Sequence, residues 1–100
     1  MNSDSIFRAY DVRGKFPGEI NQENVKLIAN AVARFLGAKI ILVAEDIRIS
    51  STILRQAVID GLTATGCEVI FIGQATSPLF YFAVNNLDVD GGIIITASHD

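Results

Sequence analysis

One hundred residues, half of them hydrophobic and 19% charged, suit one globular domain with a real core and do not suit a disordered chain. Eight Lys and Arg against eleven Asp and Glu leave a formal net charge of -3, and the basic residues form no run, so there is no electrostatic case for nucleic acid. The apolar runs are too short to span a bilayer, the start MNSDS lacks the basic and apolar regions of a secretory signal, and Cys67 is alone; a cytoplasmic protein with a half-buried free thiol and no membrane association is expected.

In chain order, IFRAYDVRG alternates briefly and reads as an extra strand at a sheet edge, its direction left open to the antiparallel choice. NQENVKLIANAVARFLG then carries Val25, Ile28, Ala29, Val32, Phe35 and Leu36 at helical spacing, which predicts one buried stripe. Asn21 is placed to cap its start and Gly37 to end it in a left-handed conformation. Ile40 to Ala44 is apolar throughout and rich in β-branched residues, the pattern of a strand covered on both faces. The unit repeats. SSTILRQAVIDGLTATG predicts a second helix with Ser50 or Ser51 as cap, Ile53, Leu54, Ala57, Val58 and Leu62 inward and Gly66 as the stop. Glu68 to Gly73 predicts a strand, SPLFYFAVNN a helix with Ser77 as cap and Pro78 at its first position, and GGIIITA a further strand. Gly91 and Gly92 at its start suggest close approach to another backbone. Strands alternating with helices predict a three-layer α/β/α domain over residues 1–100, with a mostly parallel, mixed four-stranded sheet.

Polar residues gather in the loops after the three main strands: EDIRISS (45–51), GQATSP (73–78) and SHD (98–100). Parallel strands would bring these loops to one edge, where open α/β sheets bind ligands, and helix N-termini there favour an anion such as phosphate. That places Arg48, Ser77 and Ser98 near an anion-friendly crevice. Ser98, His99 and Asp100 are adjacent, so they cannot relay a proton as a hydrolase triad, and the serine has no flanking glycines. A serine at a strand end can instead carry phosphorus. From spacing alone, the reading of Ser98 and His99 as ordinary loop polars stays open. Arg48 suits an ion pair with Asp46 better than a ligand contact, and Arg13 suits a phosphate or solvent equally. No phosphate-loop lysine and no metal-ligand cluster occurs, and Phe71, Phe80, Tyr81 and Phe82 read as packing residues.

Four motifs, FRAYDVRG (7–14), EDIRISS (45–51), GQATSPLFYFA (73–83) and DGGIIITASHD (90–100), stand in the order and spacing of the α-D-phosphohexomutase family. Over the whole chain the sequence resembles the first of the four domains of its phosphomannomutase/phosphoglucomutase members. The resemblance implies an isomerase that moves phosphate between the 1- and 6-positions of a hexose phosphate, mannose or glucose phosphates being the substrates. The serine matching Ser98 would hold the phosphoryl group and coordinate Mg2+; His99 would orient that group or share a proton; Tyr10 and Arg13 would bind phosphate in the same cleft. Arg48 and Ser77 would support their loops. Two departures stand out: Asp100 replaces the usual asparagine, and Ala44-Glu45 replaces a pair that usually brings a cation. The metal loop, the sugar-selecting loop and the second phosphate site would belong to the remaining domains of the same enzyme, so the isolated domain is expected to be inactive. The reading from another class is a non-catalytic α/β module that binds an anion or a partner.

Overall fold

In a computed structural model the chain is described over residues 8–16, 18–46 and 52–99. The elements alternate as β1 (Ala9–Phe16), α1 (Gln22–Leu36), β2 (Ile40–Asp46), α2 (Thr52–Thr63), β3 (Glu68–Ala75), α3 (Ser77–Asn86) and β4 (Gly91–His99). The four strands form one sheet in the order β1-β4-β2-β3, and every pairing in it is parallel. The edge strand β1 is thus parallel too, against the antiparallel option. The reason is local: a short link and α1 reverse the chain twice before β2, which makes β1–α1–β2 a crossover unit rather than a hairpin. The gap it leaves between β1 and β2 is filled by β4.

Chain direction also explains the layers. Right-handed crossovers put helices on one face while the chain moves one way across the sheet and on the other face when it returns. The steps β1 to β2 to β3 run one way, and α1 and α2 cover one face; the return to β4 puts α3 on the opposite face. The larger core cluster joins Val25, Ala29 and Ala33 of α1 and Leu54, Val58 and Leu62 of α2 to Ile41, Val43, Ile93 and Ile95. The smaller joins Phe80 and Val84 of α3 to Leu42, Ala44 and Ile94. Alternate residues of β2 and β4 therefore enter different clusters, which is why both strands are apolar without a break.

The helix ends follow from their residues. The Asn21 side chain accepts from the backbone N–H of Asn24 at 2.9 Å, and Gly37 ends α1 with φ of 59°. At α3 the cap is Thr76, whose hydroxyl accepts from the Leu79 N–H at 3.3 Å, rather than Ser77; Ser77 begins the helix and Pro78 is its second residue. The expected caps Ser50 and Ser51 lie outside the described residues.

Three packing expectations shift. Phe35 is 82% exposed, and Ile28 and Ile53 also face solvent. The buried stripe of α1 runs through Val25, Ala29, Val32, Ala33 and Leu36, so Phe35 and Ile28 lie about a quarter turn or more off its centre. Of the four aromatics, Phe80 is fully buried and Phe71 half-buried, whereas Tyr81 and Phe82 lie on the outer side of α3. Cys67 is buried outright, and burial, then the charge of Asp90, pushes its thiol up. The strands β2, β3 and β4 each run two residues further than the apolar runs indicate, so that Glu45 and Asp46 belong to β2 and Ser98 and His99 to β4.

Candidate phosphate-facing rim

Four parallel strands bring all their carboxyl ends to one edge. The rim therefore collects the turn after β1 as well as the loops after β2, β3 and β4. Register fixes what meets what. On the β1–β4 pair Arg13 lies opposite Thr96, Lys15 opposite Ser98 and Phe16 opposite His99. Ser98 and His99 thus end a central strand whose edge neighbour brings Lys15 level with Ser98 and Arg13 level with Thr96, two residues before it.

Arg13 is held by a specific contact. Its Nε donates to Asp11 Oδ2 at 2.7 Å, and its Nη2 lies 2.7 Å from the same oxygen. The other carboxylate oxygen, Oδ1, accepts from the Thr96 hydroxyl on β4 at 3.2 Å. Asp11 and Arg13 are two apart on a strand, so they share a face. The Asp11 side chain is 15% exposed and that of Arg13 59%, so the carboxylate is the sheltered anchor and the guanidinium reaches into solvent. Tyr10 lies opposite Ile93 and packs against the larger core cluster, on the other face from Arg13. The structure therefore joins Arg13 to the β4 terminus but sets the Tyr10 side chain apart from the guanidinium.

The turn leaving β1 is tight. The Lys15 carbonyl accepts from the N–H groups of Glu19 at 2.8 Å and Ile20 at 2.9 Å, and the Lys15 N–H donates to Glu19 Oε1 at 2.9 Å. Ile20 folds over Gly14 so closely that a Cβ there would stand 2.7 Å from Ile20 Cγ1. The glycine in VRG thus makes room for Ile20, whose N–H closes the turn on the Lys15 carbonyl, just where β1 ends beside the end of β4.

At the end of β2 the charges are arranged differently from the sequence expectation. Glu45 is a buried strand residue, and its Oε1 lies 3.3 Å from Nη2 of Arg55, whose guanidinium stacks 4.9 Å above the Phe71 ring. The cation beside position 45 comes from α2. Arg48, with its expected partnership to Asp46, and Asp100 lie outside the described residues, while Asp46 is itself buried. Ser77 is the first residue of α3, at the rim beyond the end of β3. Among the described residues no group of three or more His, Cys, Asp or Glu is gathered to hold a metal ion, and no helix is long and apolar enough to cross a membrane.

Asp11, Lys15 and Thr96 escaped sequence reasoning. The signal for Asp11 was present in its spacing from Arg13; the roles of Lys15 and Thr96 depend on register, which no local pattern encodes.

Comparison with known proteins identifies the family. The family profile described as "Phosphoglucomutase/phosphomannomutase, alpha/beta/alpha domain I" matches residues 4–100. A phosphomannomutase of Escherichia coli (strain K12) is 40% identical over 100 residues, covering 100% of this chain and 22% of the relative. The protein "Phosphohexose mutases" of Xanthomonas campestris pv. campestris (strain B100) is 38% identical over 94 residues, 94% of this chain and 21% of that one. A phosphomannomutase of Klebsiella pneumoniae is 39% identical over 100 residues, again the whole chain and 64% of the relative. The chain thus spans about a fifth of the length of the first two relatives.

Proposed function

Because this chain belongs to the phosphoglucomutase/phosphomannomutase family, as its alpha/beta/alpha domain I, we propose that it supplies the phosphoryl-carrying serine of a phosphohexomutase acting on mannose or glucose phosphates in the cytoplasm. The observation that carries the proposal is the register of the β1–β4 pair, with Ser98 opposite Lys15 and two residues beyond Thr96, the partner of Asp11.

In the proposed reaction Ser98 Oγ begins bonded to phosphorus. A free hydroxyl of the bound hexose phosphate attacks that phosphorus from the far side. The new sugar O–P bond forms as the P–Oγ bond breaks, the hydroxyl proton departs, and the serine oxygen regains a proton, with His99 as the group that shares it. The sugar now carries two phosphates. It turns around, and Ser98 Oγ attacks the other phosphorus, restoring the phosphoserine and releasing the isomeric monophosphate. Charge on the transferring group needs fixed cations nearby, and Arg13, with Lys15 two residues further along the strand, supplies them from β1. Tyr10, which the family resemblance offers for phosphate binding, packs on the other face of β1 from Arg13 and is given no part in this step.

Ser98 would be one ligand of the Mg2+ ion that such chemistry uses to offset charge. Among the described residues no group of three or more His, Cys, Asp or Glu supplies the rest of its donor set. The remaining ligands and the sugar-selecting contacts are assigned to the other domains of the same enzyme, and the isolated domain is assigned no turnover of its own.

The test uses the natural full-length protein incubated with glucose 1,6-bisphosphate. Intact mass after incubation should exceed that of the unmodified sequence by one phosphoryl group, Ser98→Ala should abolish that excess, and turnover should fall by at least about 10³-fold, the scale of losing a covalent nucleophile. If Ser98→Ala kept normal turnover, the assignment of the serine would be wrong. If the unsubstituted protein carried no phosphoryl group after incubation, a non-catalytic anion-binding module would describe the chain better.

A further inference from the structure

We infer that Asp11 is a positioning residue that holds the Arg13 guanidinium in one orientation at the end of β4, an inference that rests on the phosphoserine reading above. The geometry is specific. One Asp11 oxygen takes the Nε and Nη2 side of the guanidinium at 2.7 Å each, and the other takes the Thr96 hydroxyl at 3.2 Å. Arg13 has five N–H donors in a rigid fork. Using its Nε edge on Asp11 leaves the Nη1 end and one Nη2 proton for an oxyanion. Thr96 ties this arrangement to β4 itself, two residues before Ser98, so the strand that bears the serine also sets the aim of the arginine.

An exposed arginine on an edge strand otherwise samples many rotamers, and ordering it on binding would weaken its hold on a phosphoryl group. The carboxylate costs something in return, because a negative charge beside Arg13 reduces its attraction for an anion. The two effects have opposite signs, which makes the inference sharp. If charge alone mattered, neutralising Asp11 would speed transfer; if orientation matters more, it slows transfer. Because the Arg13 side chain is 59% exposed and stays solvated without its partner, Asp11→Asn, which keeps an acceptor for Thr96, should leave folding nearly unchanged.

The experiment measures label transfer from glucose 1,6-bisphosphate to the natural full-length protein, alongside thermal midpoints and the NMR signal of the Arg13 Nε–H. Asp11→Asn should slow transfer by about 10- to 100-fold, the range for a misplaced catalytic contact, with the midpoint unmoved and the Nε–H losing protection from solvent exchange. Thr96→Val should give a smaller loss, and Thr96→Ser should restore the rate. Adding Asp11→Asn to Arg13→Ala should cost nothing further, because the residue acts through the arginine. Transfer at or above the unsubstituted rate in Asp11→Asn, losses that multiply in the double variant, or a still-protected Nε–H would each overturn the inference. Ser98→Ala separates the two readings. If it retains label, the phosphoserine assignment fails; if it loses label while Asp11→Asn transfers normally, only the positioning role fails.

Discussion

Asp90 closes the amino end of the sheet as Asp11 organises the carboxyl end. Its Oδ2 accepts from the N–H groups of Lys39 at 2.8 Å and Ile40 at 2.9 Å, while its own N–H donates to the Ile40 carbonyl at 2.8 Å. The bonds from Ile40 and then Lys39 favour the charged carboxylate and hold it below its ordinary range. A depressed folded value means the stabilisation is present at neutral pH and is lost as pH falls through the folded value, below about 4. Asp90→Asn should therefore lower stability by about 1 kcal/mol at pH 7, less than the full worth of two charge-assisted bonds because the site is half-exposed. The difference from the unsubstituted chain should vanish in denaturant titrations at the acid end; a constant difference across pH would contradict it. Of such single-residue roles, the caps at Asn21 and Gly37 were legible beforehand, since each bonds within a few residues. Asp90 bonds across fifty positions of chain.

At the scale of elements, α3 can lie against β4 because Gly92 has no side chain. A Cβ there would stand 2.5 Å from Val84 Cγ2 and 2.8 Å from Phe80 Cζ, both in buried residues with no room to swing away. Gly92→Ala should cost about 1–3 kcal/mol by overpacking, which exceeds the 0.4–1 kcal/mol gained from restricting the unfolded chain. In a domain of this size that is a drop in thermal midpoint of about 4 °C or more; an unchanged midpoint would contradict the packing account. The glycine pair was readable as a close approach, but its partner was not. Gly91 meets the Arg8 carbonyl of the edge strand's start, whereas Gly92 meets a helix on the other side of the sheet. Elements and their order followed from periodicity because each helix needs one buried stripe and each central strand two buried faces. The exposed Phe35 shows the limit: which of two overlapping apolar stripes is buried depends on the position of β1 and α2, not on α1 alone.

Over the whole molecule, apolar side chains remain outside the two clusters: Leu27 and Phe35 on α1, Leu79 and Phe82 on α3, and Ile70 and Ile72 on the face of β3 that α3 leaves uncovered. Phe35 is 82% exposed and Phe82 63%, so neither contributes much to this domain's core. The double substitution Phe35→Glu/Phe82→Glu should leave stability within about 0.5 kcal/mol of the unsubstituted chain, as for ordinary surface positions; a loss above about 2 kcal/mol in urea unfolding would show that these rings are buried in the folded domain. The fold class, the strand and helix order and the family motifs were all determined by the sequence alone. They rest on contacts between near neighbours or on short stretches read as units. The parallel run of β1, the insertion of β4 between β1 and β2, and the meeting of Asp11, Arg13 and Thr96 were decided only by tertiary structure. Strand neighbours and register are set by how two helical layers share one sheet, and that competition involves residues more than eighty positions apart, as Thr96 and Asp11 are.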